Sequence, residues 1–214
     1  MKSLLHSWPG AAALIVLLMA PSARPCFAEN WQDLGAPPAP QSAAPARSPE
    51  ALLKGENLLF APPKNFKIGH HDDRIGSLTE FVPNGQTVED WTEMLTVQVF
   101  RNLKEADPAA FLQKIGTQWL NACPETPKDT IRNGQVNGYP VSMLVLKCPK
   151  SPSTGKPETT VFRVIKGKDA LYSVQHAWRT VPSDEAQQAL SKSAVCDTRD
   201  PSHPCPSFDQ SPRP

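Results

Sequence analysis

The sequence predicts an α+β domain: a single antiparallel sheet of about six or seven strands with two packed helices, carried behind an export leader. Three observations carry that expectation. Phe81 to Phe100, FVPNGQTVEDWTEMLTVQVF, reads as the end of one strand, a tight turn, a capped helical turn and a second strand. Asn137-Gly138 and Gly167-Lys168-Asp169 each separate two apolar runs, as hairpin turns do. Two helical stretches, one from Pro108 and one opened by Ser183, stand among strands joined mostly by short reversals, which favours an antiparallel layer with helices against it.

The first 28 residues read as an export signal. Lys2 is followed by an apolar run from Ala11 to Ala20, then by a Pro-containing segment ending Cys26-Phe27-Ala28, with cleavage expected after Ala28. The run is short for a membrane span, which needs about 20 apolar residues, so no stable span is expected once the signal is removed. Retention as an anchor is the alternative. A lipid on Cys26 is a further one, against which Ala23-Arg24-Pro25 is a poor lipobox. Residues 29–63 read as a Pro/Ala-rich disordered spacer, because 36–49 holds almost no large apolar side chain with which to offset the entropy of ordering. At its end Leu52, Leu53, Leu58, Leu59 and Phe60 form an apolar cluster, expected as a short docked helix or a partner-binding segment.

The globular domain is expected over 64–196. Asn65–Gly69 is a short strand, His70–Arg74 a polar loop and Ser77–Val82 an alternating strand. Pro83-Asn84-Gly85 has turn chemistry, and Thr87 with Asp90 three residues on can cap a helical turn. Leu95, Val97 and Val99 then alternate with Thr96 and Gln98, a strand with one buried face. Asp107 is a good N-cap with Pro108 at the first helical position, and Ala110, Phe111, Ile115, Trp119 and Leu120 recur at helical spacing up to Cys123-Pro124. Thr130–Val136 and Tyr139–Lys147 flank the Asn-Gly turn, 148–157 is a loop, and Glu158–Lys166 pairs with Ala170–Trp178. The helix capped by Ser183 is expected to run to about Val195, with a Pro-rich tail over 197–214.

Four cysteines follow the signal: Cys123, Cys148, Cys196 and Cys205. An even number in an exported chain points to disulfides, for which three pairings exist. Cys123–Cys148 and Cys196–Cys205 are expected because each closes a local loop, at roughly 3 kcal/mol apiece. None of them has zinc-ligand spacing. Charge is nearly balanced, 22 basic against 21 acidic residues, and 20 against 21 once Lys2 and Arg24 leave with the signal. That balance argues against nucleic acid as a partner.

Chemistry has few places to sit. His70-His71-Asp72-Asp73 could surround a cation in a small metal-assisted hydrolase, although neighbours in a strand point to opposite faces. A polar turn is the plainer reading. Tyr172, Val174, His176 and Trp178 share one strand face, and with Trp91 they are the possible binding face; a half-buried sheet face and a core aromatic closing a turn are the plainer readings. Ser142 and Ser173 lack a nucleophile-elbow setting, and no phosphate loop or dinucleotide fingerprint is present, so no cofactor is expected.

The order strand, strand, WTEMLTVQVF-type strand, helix, hairpin, hairpin, helix resembles the PsbP-like α+β domains, a group that includes bacterial envelope lipoproteins of the DcrB type. The block Trp91-Thr92-Glu93 also resembles a motif of uncharacterised exported proteobacterial proteins. The resemblance covers about Lys64 to Val195 and brings no catalytic residues with it. It implies a non-enzymatic accessory or binding role; together with the export signal and the even cysteine count, the expectation is a periplasmic or secreted protein whose partner is another envelope protein or a small ligand. The hydrolase built on His70, His71, Asp72 and Asp73, with or without His176, is the alternative.

Overall fold

A computed structural model describes residues 54–206, apart from 75, 128 and 153. The expected signal, most of the spacer with Leu52 and Leu53, and 207–214 lie outside the described residues. Among the described residues nine strands and two α-helices run in the order β1 (Glu56–Leu59), β2 (Phe66–Asp72), β3 (Ser77–Pro83), β4 (Glu93–Phe100), α1 (Pro108–Ala122), β5 (Arg132–Val136), β6 (Tyr139–Cys148), β7 (Glu158–Lys166), β8 (Leu171–Trp178), α2 (Asp184–Lys192) and β9 (Ala194–Asp197). The main sheet has seven strands in the order β2-β3-β4-β8-β7-β6-β5, and every neighbouring pair is antiparallel. The α+β class holds. The single sheet does not, because β1 and β9 pair with each other in a small second sheet.

Local chemistry explains most of these elements. The Asp107 side chain accepts from Ala110 N at 2.8 Å, so it caps α1 and satisfies a donor that the first turn leaves open. Ser183 does the same for α2 through Ala186 N at 3.3 Å. At the β5–β6 turn Asn137 and Gly138 have φ of 47° and 79°; two positive φ values in a row are what a tight type I′ hairpin needs. Asn137 Nδ2 also donates to Val195 O and Pro204 O, which fastens this hairpin to β9 and the segment after it.

Residues opposite each other in register share a sheet face, so the registers show where each helix lies. Leu144 of β6, Phe162 and Val164 of β7, and Leu171 of β8 pack with Leu112 and Ile115 of α1. Leu95 of β4 and Phe66 of β2 pack with Ala186 and Ala189 of α2. Leu95 is opposite His176, one residue out of step from the Phe162–Gln175 row, so α1 and α2 cover opposite faces. The β1–β9 pair lies on the α2 side, where Val195 joins Val141, Ile165 and Tyr172. Glu56 of β1 holds the β7–β8 turn there, accepting from Lys168 N, Asp169 N and Tyr172 Oη.

Several expectations need correction. Leu58 and Leu59 lie in strand β1 and not in a helix, and β1 precedes the expected start of the domain at 64. His70, His71 and Asp72 continue β2 instead of forming a loop; both faces of this edge strand are open there, so polar residues extend it at no burial cost. Thr87 Oγ1 accepts from Asp90 N at 3.2 Å, but no helical turn follows. Helix α2 stops at Lys192, where Ser193 takes an extended conformation and the chain enters β9. Strand β4 is buried on both faces, Thr96 and Gln98 included, because it lies between β3 and β8 with cover on either side.

Both disulfides join the expected partners, Cys123 with Cys148 and Cys196 with Cys205. The first ties the end of α1 to the end of β6, and the second closes a nine-residue loop behind β9. No helix among the described residues is long and apolar enough to cross a membrane.

Candidate functional site

The α1 face of the sheet is not uniformly apolar. Row by row across β3, β4, β8 and β7 it carries Glu80, Thr96, Gln175 and Phe162, and next to these Met94, Ala177 and Thr160. Helix α1 covers the β6–β7 side of this face and leaves a cleft over the rest. The cleft has a volume of about 100 Å³. Its floor is the row just named. Its walls are the C-terminal half of α1 (Ile115, Gln118, Trp119), the Cys123–Cys148 disulfide, and the loop that carries Val88 and Trp91. That loop folds back over the sheet edge: a Cβ on Gly69 would sit 2.9 Å from Val88 Cγ1, so only glycine leaves room there.

Charged side chains enter the cleft from both ends. At one end Arg179, just past β8, donates from Nη1 to Trp91 O at 3.2 Å and lies over the Trp91 ring, with its guanidinium carbon 3.6 Å from the centroid. Arg179 Nη2 is also 3.7 Å from Glu158 Oε2, an ion pair too long to be a hydrogen bond. Burial pushes the Glu158 carboxyl up from its ordinary value, partly offset by Arg179, and pushes the Arg179 guanidinium down, partly offset by Glu158.

At the other end Glu80 has no such partner. It is 0 % exposed, and among the described residues neither carboxylate oxygen has a hydrogen-bond partner. Burial first, and then the nearby charge of Glu89, push its carboxyl up to about 7. Thr160 Oγ1 and Trp119 Nε1, both lining the cleft, are also buried without partners. Buried polar atoms are nearly always paired, so several orphans around one cleft mark it as a place where hydrogen-bonding capacity is held open.

The residues singled out in the sequence do not come together. Trp91 lines the cleft and is 7 % exposed. Tyr172, His176 and Trp178 share a strand face, but it is the opposite one, under α2 and the β1–β9 pair. His176 is 1 % exposed, and its Nε2–H donates to Glu93 Oε1 at 2.6 Å, where Ser183 N also donates at 2.9 Å. Burial would raise the Glu93 carboxyl, but these two hydrogen bonds outweigh it and hold the group below its ordinary value. The trio therefore fastens the start of α2 to the sheet. Trp178 stacks beside His176 at 4.8 Å between ring centroids. Burial and the Glu56 carboxylate raise the Tyr172 hydroxyl well above its usual value.

His70 and His71 are exposed on the edge strand β2, which β3 and β4 separate from His176 on β8. His71 Nε2–H donates to Asp73 Oδ2 at 2.8 Å, and Asp72 is held by the Arg74 guanidinium. Among the described residues no group of three or more His, Cys, Asp or Glu side chains is arranged to hold a metal ion.

Sequence reasoning missed Glu80, Glu158 and Arg179. The signal for Glu80 was present: Leu78, Glu80 and Val82 fall on one face of β3, so a carboxylate interrupts an apolar row.

No protein-family model matches the chain, and no curated protein matches it. Among solved structures, a crystal structure from Bacteroides thetaiotaomicron VPI-5482 is similar, with a TM-score of 0.41 and 10% identity, over 70% of this chain and 51% of that one. This chain thus spans about half the length of that structure.

Proposed function

We propose that the chain is a non-enzymatic binding protein that works outside the cytoplasm, in the periplasm or as a secreted protein of the bacterial envelope, and that it holds a small ligand in the cleft beneath α1. One observation carries this reading: a cleft with apolar and aromatic walls in which Glu80, Thr160 and Trp119 present buried polar atoms without partners. Such a combination suits a ligand with an apolar body and a few polar atoms. The two disulfides fit an oxidising compartment, and the leader read in residues 1–28 would deliver the chain there. The PsbP-like resemblance points to the same non-enzymatic class.

Thermal melts of the mature protein against small amphiphiles of each charge class test the reading. At a hundred times its Kd a ligand adds about 2.7 kcal/mol of stability, which raises the Tm by several degrees. At least one class is expected to do so and to be recovered chemically unchanged. If no class raises the Tm, or if the compound comes back cleaved, the proposal is wrong.

A further inference from the structure

We propose that the cleft takes a small organic cation, a primary ammonium on a short apolar stem, with Glu80 as its counter-ion. This rests on the cleft-binding reading above and names the ligand class.

Charge is unevenly distributed around the cleft. Among the described residues three charged ones line it: Glu80, Glu158 and Arg179. Arg179 and Glu158 offset each other, and Trp91 covers the guanidinium. Glu80 is left over. Among the described residues no ion pair or hydrogen bond reaches its oxygens, and the charge that acts on it most is that of Glu89, which has the same sign. A buried, unpaired carboxylate is costly, and a cation in contact with it removes most of that cost. An ammonium group also brings three N–H donors. Two can meet the Glu80 oxygens, and Thr96, directly opposite on β4 and lining the cleft, offers a hydroxyl for the third. An anion would face both Glu80 and Glu89.

The stem follows from the walls and the volume. Met94, Ile115, Phe162 and Ala177 give an apolar seat. A cavity of about 150 Å³ accepts benzene, and this one has about 100 Å³, so the stem is held short, to roughly four carbons at most.

The pH dependence follows from the surroundings. Besides Glu89, the titratable groups around Glu80 are His70, opposite it on β2, and Glu158 and Arg179 across the cleft; α1 contributes no titratable side chain to the lining. Glu80 therefore dominates, and ammonium binding weakens once the pH falls below its raised value.

The test is a titration of the full mature protein with n-butylammonium chloride, n-butanol or sodium butyrate, followed by the indole N–H NMR signals of Trp91 and Trp119. At pH 8 butylammonium is expected to shift these signals saturably and to bind at least tenfold tighter than butanol, with butyrate inert. Lowering the pH to 6 should weaken it about tenfold, as a group titrating near 7 requires. Glu80→Gln should abolish the preference for the cation, with its own thermal melt showing that it is folded. If butanol or butyrate binds as tightly as the cation, or if Glu80→Gln keeps the preference, the ligand class is wrong while the cleft reading stands. If no probe moves either indole signal, this ligand class is wrong as well, and the amphiphile melts then decide separately whether the cleft binds anything.

Discussion

Replacing Glu80 by glutamine is expected to stabilise the protein by up to about 3 kcal/mol at pH 8 and to change little at pH 4. The sign follows from where the proton sits. The ordinary carboxyl value is 4.5, and the fold raises it to about 7. Between those values the folded chain keeps a proton that the unfolded chain has already released, so stability falls as pH rises through this window. Above it the full cost of a buried, unpaired carboxylate is present, and below 4.5 that cost is gone. Glutamine cannot ionise, so it removes the cost while keeping the shape. Glu158 is raised in the same way and Glu93 is lowered, but both are present in the parent and in the variant, and their contributions cancel in the difference. Urea unfolding of both proteins at pH 4 and pH 8 checks this. The same stability difference at both pH values, or a loss at pH 8, would show that Glu80 is not desolvated as described. A residue whose removal stabilises the fold is one that packing alone does not explain, and this is the pattern expected of a ligand-binding group.

Removing the Cys123–Cys148 bridge is expected to cost about 3.5 kcal/mol, and removing Cys196–Cys205 about 2.5 kcal/mol, from loops of 25 and 9 residues. The two losses should also differ in kind. The first bridge forms part of the cleft wall and anchors the end of α1, so the Cys123→Ala/Cys148→Ala pair should move the Trp91 and Trp119 indole signals as well as lower stability. The second lies behind β9 on the other side of the sheet and should leave both signals in place. Chemical unfolding with NMR of the two double variants measures both effects. Four free thiols in protein purified from its native compartment would contradict the disulfide account at its root.

Much of the fold could be read from the chain because local patterns decided it. Helix α1 has its cap, its proline and its apolar spacing in one stretch, and the Asn137-Gly138 hairpin needs no information from elsewhere. The cysteine pairing followed from short loops. Strands β1 and β9 were not legible, since four residues such as Glu56–Leu59 carry no periodicity and their partner lies at the far end of the domain. Thr96 and Gln98 were read as solvent-facing because alternation identifies two faces but not whether both are covered. The same gap hid the cleft. A carboxylate between Leu78 and Val82 becomes significant only once α1 and the Trp91 loop are known to close over that face. Histidine drew attention to itself in the sequence, yet His176 serves to hold α2 in place and His71 is engaged at an exposed edge.

The most direct measurement is the titration of Glu80 itself, by carbon-detected NMR of the side-chain carboxyl in the ligand-free protein, with Glu80→Gln to assign the signal. A midpoint near 7 is expected, falling when butylammonium is added, as a carboxylate that lacks a partner and then gains one must behave. A midpoint near 4.5 that the probe does not move would mean that the carboxylate is already solvated or paired, and the cleft would then have no vacant charge to offer a ligand.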